Sequence, residues 1–304
     1  MANEDQDRSN PPRRGVRKGL YLIPSLFTAA NIGMGFFSVM ASLRGFQLLG
    51  SANPDLAAAA AHFDSAAVAI GWALLFDMLD GRIARLTKTT TEIGIQLDSI
   101  ADVVTFGLAP AVLAYVWGYG ASLTEGSDLH RLAWFLSFMY LICGAFRLAR
   151  FNVQASRPRI IAEGTPKVDK KNYVGLPIPV AGGLIAALVH FSPLPLTYFG
   201  PERARIYSGL LMVLVGLLSL MMVSTLRFSS FKTVGTRVRS MRTIILALSV
   251  GMLIFLYSQY VLLAIVISYI LYGLLSRVAN LFWRPSESAE AKIEPNPVGR
   301  SSRS

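Results

Sequence analysis

The sequence predicts an all-α, polytopic membrane protein, and three observations support that fold class. Hydrophobic residues make up 53% of the 304 residues, charged residues only 15%, and the mean hydropathy is +0.48. Soluble domains of this length are considerably more polar. Apolar stretches close to the ~20 residues that cross a bilayer recur along the chain. The basic residues are concentrated between these stretches and in the tails.

Eight hydrophobic spans are predicted, of which the seventh is short. They cover residues 21–43, 65–86, 94–117, 131–150, 174–192, 206–225, 242–257 and 259–281. The polar segments outside them, residues 1–19 and 285–304, hold too few apolar residues to build a core, so we expect disordered tails. No repeat of 20 to 50 residues is found, which disfavours a solenoid.

The distribution of basic residues predicts the topology. Nearly all of the 29 lysines and arginines lie in the tails or in and beside the loops that follow the second, fourth and sixth spans. By the positive-inside rule, these loops and both termini are cytoplasmic. The net charge of +11 then reflects topology and contact with anionic lipid headgroups. Because the basic residues accompany hydrophobic spans, nucleic-acid binding is disfavoured despite a pI near 10.0.

Signals for processing, disulfides and histidine ligation are weak. The first 20 residues are polar and basic, so we expect no cleavable signal peptide and a first span that stays in the membrane. Cys143 is the only cysteine, which excludes an intrachain disulfide and a cysteine-based zinc site. The three histidines are dispersed near span ends without metal-ligand spacing, and packing or interfacial roles are expected for them.

Four carboxylates lie inside or at the ends of two apolar spans, in the pattern D-x2-D-G-x2-A-R-x8-G-x3-D-x3-D. Its specified residues are Asp77, Asp80, Gly81, Ala84, Arg85, Gly94, Asp98 and Asp102. An acidic side chain at the centre of a membrane helix costs about 2.5 kcal/mol or more, so four of them require a cationic partner or a metal. The pattern therefore predicts a functional site.

Helical spacing places the four carboxylates on two faces. Asp77 and Asp80 share one face of the second span, and Asp98 and Asp102 share one face of the third. A short link with a possible capping box joins the two helices, which makes them antiparallel neighbours. We therefore expect all four carboxylates to converge in one pocket just below the cytoplasmic surface.

Oxygen ligands of this kind favour a hard divalent cation, Mg²⁺ or Mn²⁺, and two ions fit four carboxylates. Such ions can clamp a diphosphate and stabilise a leaving group, while the small residues of the pattern let a bulky ligand approach the helix backbones. The alternative is that the aspartates pair with Arg82, Arg85 and Lys88 and that the small residues serve helix packing.

The complete pattern resembles the signature of the CDP-alcohol phosphatidyltransferase family. The resemblance implies a six-helix membrane core, assigned here to residues 20–233. The last two hydrophobic spans place two further transmembrane helices in 234–284. It also implies a homodimer that uses divalent metal to move a phosphatidyl group from a CDP-linked lipid to an alcohol, releasing CMP. By resemblance, Asp77, Asp80, Asp98 and Asp102 bind metal, Asp102 is also the general base, and Gly81, Ala84, Arg85 and Gly94 shape the CDP pocket.

Further segments are similar to those of the bacterial and archaeal family members that use serine. They read LDSIADVVTFGLAP at 97–110, FRLARFN at 146–152, GLPIPVAG at 175–182 and MVSTLRFSSFK at 222–232. This resemblance implies CDP-diacylglycerol as donor, L-serine as acceptor and residence in a bacterial inner membrane. Glycerol phosphate or inositol phosphate as acceptor, or an archaeal lipid donor, is the nearer alternative. A transporter is the more distant one, since transporters also place acids in the membrane.

A serine pocket requires a cation for the amino acid's carboxylate. Arg147 and Arg150, at the cytoplasmic end of the fourth span, are candidates because a guanidinium can hold a carboxylate with two hydrogen bonds. Lys232 is a third candidate, and Asn31 offers a polar contact from the first span. The alternatives are that the basic side chains extend to the interface or bind lipid phosphate, and that Asn31 bonds to a neighbouring helix.

Overall fold

The computed structural model describes residues 14–87, 92–156, 172–224, 227–229 and 241–282. Within these ranges the regular secondary structure is helical apart from two three-residue strands, which confirms the predicted all-α class. The helices are α1 Arg14–Leu49, α2 Leu56–Thr87, α3 Glu92–Asp102, α4 Ala109–Ala114, α5 Asp128–Ser156, α6 Ile178–Phe191, α7 Pro201–Val223 and α8 Met241–Phe282; the strands are β1 Asn172–Val174 and β2 Arg227–Ser229.

Six helices of the described residues are long and apolar enough to cross a membrane, which confirms the polytopic membrane fold. They are Leu26–Leu49, Leu56–Ile83, Ile93–Tyr119, Asp128–Val153, Pro201–Val223 and Leu256–Gly273. α6 is apolar but has only 14 residues, fewer than the ~20 that span a bilayer. The remaining spans correspond closely to the predicted ones, with two differences.

The first difference is the start of α2, which lies at Leu56 and not at the predicted residue 65. The Asp55 carboxylate accepts a hydrogen bond of 2.9 Å from the Ala58 backbone N–H, a cap that begins the helix earlier. The second concerns the predicted seventh and eighth spans, which correspond to the two parts of α8 on either side of a kink at Tyr257 (φ −134°, ψ 44°). This kink lies one residue from the boundary at residue 258 that the predicted spans imply.

The third span combines two kinds of helix. α3 passes directly into a first π-helical segment, Val103–Leu108, then into α4 and a second π-helical segment, Tyr115–Tyr119. A π turn holds one more residue than an α turn, so side chains beyond it are rotated relative to those before it. The first π-helical segment begins immediately after Asp102, and its residues Thr105, Phe106 and Gly107 are buried.

The core lies where the short helix α6 meets its neighbours. α6 packs against α2, α8 and the first π-helical segment, while α1 packs along α2 and α5 along α7. Small residues on α2 such as Ala66 and Ala73 are buried beside larger ones such as Ile185 on α6 and Phe106. Alanine at these positions lets helix backbones approach closely, as is common between membrane helices. The packing brings the motif-bearing ends of α2 and α3 together.

A short strand pair closes the end of the bundle that carries the motif. β1 and β2 pair antiparallel, with Tyr173 opposite Phe228. Gly175 follows β1 with a φ of +82°, and a Cβ there would lie 2.3 Å from the Met222 carbonyl oxygen. Only glycine fits this backbone. The turn lets the Leu176 N–H donate to the Met221 carbonyl at 3.0 Å, which joins the start of α6 to the end of α7.

At the opposite end of α2, one histidine links three helices. His190 on α6 places Nδ1 2.5 Å from Asp64 Oδ1 on α2, and Nε2 2.8 Å from Ser258 Oγ on α8. A carboxylate only accepts, so Nδ1 donates its proton to Asp64. These two contacts fasten α8 to α6 and α2, in agreement with the packing role expected for the histidines.

We expect His190→Ala to destabilise the protein more than His62→Ala, a matched change on α2 outside this contact. Removing the imidazole removes both hydrogen bonds that join α6 to α2 and α8, and each such bond contributes about 0.5–1.5 kcal/mol, less on the partly exposed Asp64 side because water can replace the imidazole there. Thermal unfolding in detergent measures the difference, with Ser258→Ala as the milder variant. Equal melting temperatures for the two histidine variants would contradict the role of His190.

Candidate active site

The end of α2 presents two of the motif carboxylates on one face. Asp77 is half-buried, and Asp80, one turn later, is 7% exposed. The Thr28 hydroxyl on α1 donates a hydrogen bond to the Asp80 carboxylate. Thr28 was not predicted as a site residue. Its signal in the sequence is the helical spacing to Asn31, which puts two polar side chains on one face of an apolar span.

Three of the four carboxylates meet between α2 and α3. Asp77, Asp98 and Asp102 each offer one carboxylate oxygen, and these three oxygens all lie within 4.8 Å of one another. Asp80 lies beside this trio, close enough for charge repulsion with both Asp77 and Asp98. The predicted convergence of four carboxylates is therefore seen for three of them. The fourth, Asp80, is hydrogen-bonded to Thr28 and is not one of the three clustered carboxylates.

The trio fits a hard divalent cation. Negative charges this close repel one another unless a cation or protons intervene. In addition, Asp102 Oδ1 is buried, and no hydrogen-bond partner for it occurs among the described residues. Carboxylate oxygens without nitrogen or sulfur ligands are the donor set that Mg²⁺ and Mn²⁺ prefer. The residues present therefore suit such an ion.

The glycines of the pattern flank the carboxylates at exposed positions. Gly81 follows Asp80 on α2, and Gly94 lies one turn before Asp98 on α3, and both are exposed. The two glycines therefore leave the helix surface open beside the carboxylates, and their role in a CDP pocket stays a prediction. Ala84 and Arg85 continue α2, but their side chains, like that of Lys88, lie outside the described residues.

The two candidate arginines on α5 have different surroundings. Arg147 is 6% exposed and interacts favourably with the charge of Asp102. Arg150 donates to the backbone carbonyls of Val223 at 3.2 Å and Ser224 at 3.4 Å, at the end of α7. A guanidinium there satisfies carbonyls that lack partners within the helix. Lys232, the third cationic candidate, lies outside the described residues.

Asn31, a residue of α1, is buried where α1 packs against the third span. It is 1% exposed, and no hydrogen-bond partner for either polar atom of its amide occurs in the part of the chain that the structure describes. Its backbone carbonyl accepts a bond of 3.1 Å from the Thr105 hydroxyl. Thr28, which holds Asp80, precedes Asn31 by one turn, and Thr105 follows Asp102 by one turn. Asn31 thus lies on α1 between a residue that binds Asp80 and a contact with the segment that follows Asp102.

The chain belongs to the CDP-alcohol phosphatidyltransferase family, whose profile matches residues 21–199. That range holds the whole motif and both arginines, while α7 and α8 lie beyond it. Among relatives, a Helicobacter pylori protein named CDP-diacylglycerol–serine O-phosphatidyltransferase is 31% identical over 260 residues, which cover 84% of this chain and 91% of the relative.

Two further relatives of the same name come from an archaeon and a yeast. The Methanocaldococcus jannaschii protein is 38% identical over 140 residues, 46% of this chain and 56% of the relative. The Saccharomyces cerevisiae protein is 35% identical over 164 residues, 54% of this chain and 51% of the relative. The similarity thus extends across bacteria, archaea and a eukaryote.

Proposed function

We propose that this protein transfers a phosphatidyl group from CDP-diacylglycerol to the hydroxyl of L-serine, forming phosphatidylserine and CMP. The observation that carries the proposal is the convergence of one carboxylate oxygen each from Asp77 on α2 and Asp98 and Asp102 on α3, all within 4.8 Å of one another. The choice of serine is supported by the names of the relatives, one of which covers 84% of the chain.

We propose that the four aspartates Asp77, Asp80, Asp98 and Asp102 hold two divalent ions, Mg²⁺ or Mn²⁺. When bound, such ions neutralise the diphosphate of the donor and the charge that develops on the departing CMP. Thr28 orients Asp80 toward this site through its hydroxyl. Gly81, Ala84, Arg85 and Gly94 line the pocket for the CDP group in this proposal, and the small residues Gly81, Ala84 and Gly94 leave room for the nucleotide.

Asp102 acts as general base in the proposed reaction. Its carboxylate accepts the proton of the serine hydroxyl, and the serine oxygen forms a bond to the phosphorus on the lipid side of the diphosphate. The bond between that phosphorus and the bridging oxygen breaks, and CMP leaves with the electron pair. One carboxylate oxygen of Asp102, Oδ1, is buried, and a site that excludes water favours serine over water as the acceptor.

Arg147 is the side chain that we propose for the serine carboxylate. In serine, the hydroxyl and the carboxylate are close together, so the cation that binds one must lie near the base that deprotonates the other. Arg147 meets this condition, because it is buried and interacts with the charge of Asp102. The Asn31 amide is proposed to contact serine or the donor phosphate, which would satisfy its buried polar atoms.

The proposed membrane orientation rests on the distribution of basic residues, and the proposed oligomeric state rests on the family. We propose that both termini and the catalytic site face the cytoplasm of a bacterial inner membrane, where the basic loops contact anionic lipids. A homodimer is proposed from the family resemblance. Lys232, in one of the basic loops, stays a candidate for phosphate or serine binding.

The proposed function is tested with purified protein, CDP-diacylglycerol, Mn²⁺ or Mg²⁺, and a panel of alcohols. Serine should yield CMP and phosphatidylserine in equal amounts, and glycerol 3-phosphate and inositol phosphate should yield neither. CMP release with a phosphorylated alcohol but not with serine would reassign the acceptor. Activity only with a CDP-linked archaeal lipid would reassign the donor. An absence of CMP with every pair would overturn the enzyme assignment.

We expect Arg147→Ala to raise the serine KM about 10- to 100-fold with a smaller effect on kcat, because a hydrogen bond to a charged group contributes about 1.5–3 kcal/mol. Arg150→Ala is the matched control, since its guanidinium binds the carbonyls of Val223 and Ser224. It should lower thermal stability and leave the serine KM near normal. A raised KM for CDP-diacylglycerol in Arg147→Ala, with normal serine kinetics, would move Arg147 to the lipid-phosphate site.

A further inference from the structure

Asp102 occupies the last position of α3, where the α-helix changes to the first π-helical segment. Each residue of an α-helix turns the chain by about 100°, and a π turn contains one residue more than an α turn. If residues 103–108 returned to α geometry, Asp98 and Asp102 would rotate by about 100° relative to the rest of the span. The direction of both carboxylates therefore depends on this segment.

One side of the first π-helical segment is held by α1. The Thr105 hydroxyl is fully buried and donates to the Asn31 backbone carbonyl at 3.1 Å. Contact between the two backbones is close, because a Cβ added to Gly35 would lie 2.6 Å from Thr105 Oγ1 and 2.9 Å from Thr105 Cα. Any larger residue at position 35 would displace the segment from α1.

The other sides are held by α5 and α6. The hydroxyl of Tyr140, a fully buried residue on α5, donates to the Phe106 carbonyl at 3.1 Å. On α6, a Cβ added to Gly182 would lie 3.0 Å from the same carbonyl oxygen. Loss of either hydroxyl would leave a buried carbonyl without this donor in an apolar interior, where no water replaces it.

We propose that Thr105 and Tyr140 are positioning residues, which hold the first π-helical segment so that Asp98 and Asp102 point toward Asp77. The inference rests on the proposed catalytic role of Asp102. Neither hydroxyl is required to touch substrate. Thr105 ties the segment to α1 through its own hydroxyl, and Tyr140 ties it to α5 through the Phe106 carbonyl. Both attachments lie about one turn beyond Asp102 in the chain.

The test compares Thr105→Val, which keeps the shape of the side chain and removes the donor, with Thr105→Ser, which keeps the donor. We expect Thr105→Val to lower kcat about 10- to 100-fold, as small misplacements of catalytic groups do, with the serine KM nearly unchanged. Thr105→Ser should restore kcat. Tyr140→Phe should lower kcat in the same way, and the double variant should lose less than the product of the single effects.

Two controls separate positioning from general destabilisation. Ser219→Ala removes another buried hydroxyl, which donates to the Val215 carbonyl at 2.8 Å on α7. Tyr119→Phe removes a buried tyrosine hydroxyl that bonds to Ser137. Both should match their counterparts in lost thermal stability and retain kcat. Equal losses of kcat in controls and test variants, or no recovery in Thr105→Ser, would overturn the proposal.

Mn²⁺ affinity, measured by electron paramagnetic resonance, gives a readout that is independent of turnover. It should weaken in Thr105→Val, recover in Thr105→Ser and stay at the parent value in Ser219→Ala, because the first change rotates two of the three clustered carboxylates. Unchanged Mn²⁺ affinity in Thr105→Val would overturn the inference. If the parent protein released no CMP with any alcohol, the proposed function would fail, and Mn²⁺ affinity would still decide whether Thr105 orients the carboxylates.

Discussion

Asp102→Asn should lower kcat for phosphatidylserine formation by about 10²- to 10⁴-fold, the contribution typical of a general base. The amide has nearly the shape of the carboxylate and cannot take the proton of the serine hydroxyl. Asp102 is also a proposed metal ligand, so the measurement is made at saturating Mn²⁺ and serine. Asp98→Asn, assayed in the same way, should recover part of its activity as Mn²⁺ rises, while Asp102→Asn should not.

Asp128→Asn serves as the control for this prediction. Asp128 begins α5 and is fully exposed, with a single ion pair to Arg131 at 3.6 Å. Its replacement should leave kcat at the parent value. If high Mn²⁺ restored Asp102→Asn as fully as Asp98→Asn, Asp102 would be a ligand without a role as base.

Asp77→Asn and Asp98→Asn should abolish most of the stabilisation that Mn²⁺ gives to the parent protein. Both residues belong to the trio whose oxygens lie within 4.8 Å, so each change removes one ligand and one of the mutually repelling charges. Without metal, the variants should unfold at the same temperature as the parent or a higher one. With saturating Mn²⁺, the parent should gain several degrees, since a ligand at 100 times its Kd stabilises by about 2.7 kcal/mol.

Thermal unfolding with EDTA and with graded Mn²⁺ measures this effect without any assay of turnover. Asp64→Asn provides a matched control on α2, because Asp64 contacts His190 and lies away from the trio. It should unfold earlier than the parent in EDTA and keep the full Mn²⁺ shift. A full Mn²⁺ shift in both Asp77→Asn and Asp98→Asn would rule out the proposed coordination.

Much of the fold and the motif could be predicted from the sequence, because the responsible physics is local. Membrane crossing depends on the apolar length of each segment, and six of the predicted spans recur as helices long enough to cross. Spacings of three and four residues place Asp77 beside Asp80 and Asp98 beside Asp102 on any helix. The short link between α2 and α3 then leaves few arrangements other than antiparallel contact. The family resemblance rests on the same local pattern.

Contacts between helices far apart in the chain could not be predicted from the sequence. Arg147 and Arg150 lie three residues apart and have the same chemistry, yet Arg147 is buried and interacts with the charge of Asp102, while Arg150 binds the end of α7. Thr28 was not recognised as a partner of Asp80, 52 residues away. Which of several polar side chains meets a carboxylate depends on how the helices cross, and that depends on the packing of the whole bundle.

The sequence by itself therefore determined the membrane class, the two acidic helix faces and the membership in a family, since each follows from residue type and helical period. Only the tertiary structure decided that the helix changes to π geometry after Asp102, that Asn31 is buried with its amide facing no described partner, and that the break in α8 at Tyr257 lies beside a contact with His190 on α6. A π turn and a helix break cost free energy locally and persist where packing with neighbouring helices compensates for them. That compensation comes from residues far away in the chain, such as Tyr140 against Phe106 and Ser258 against His190.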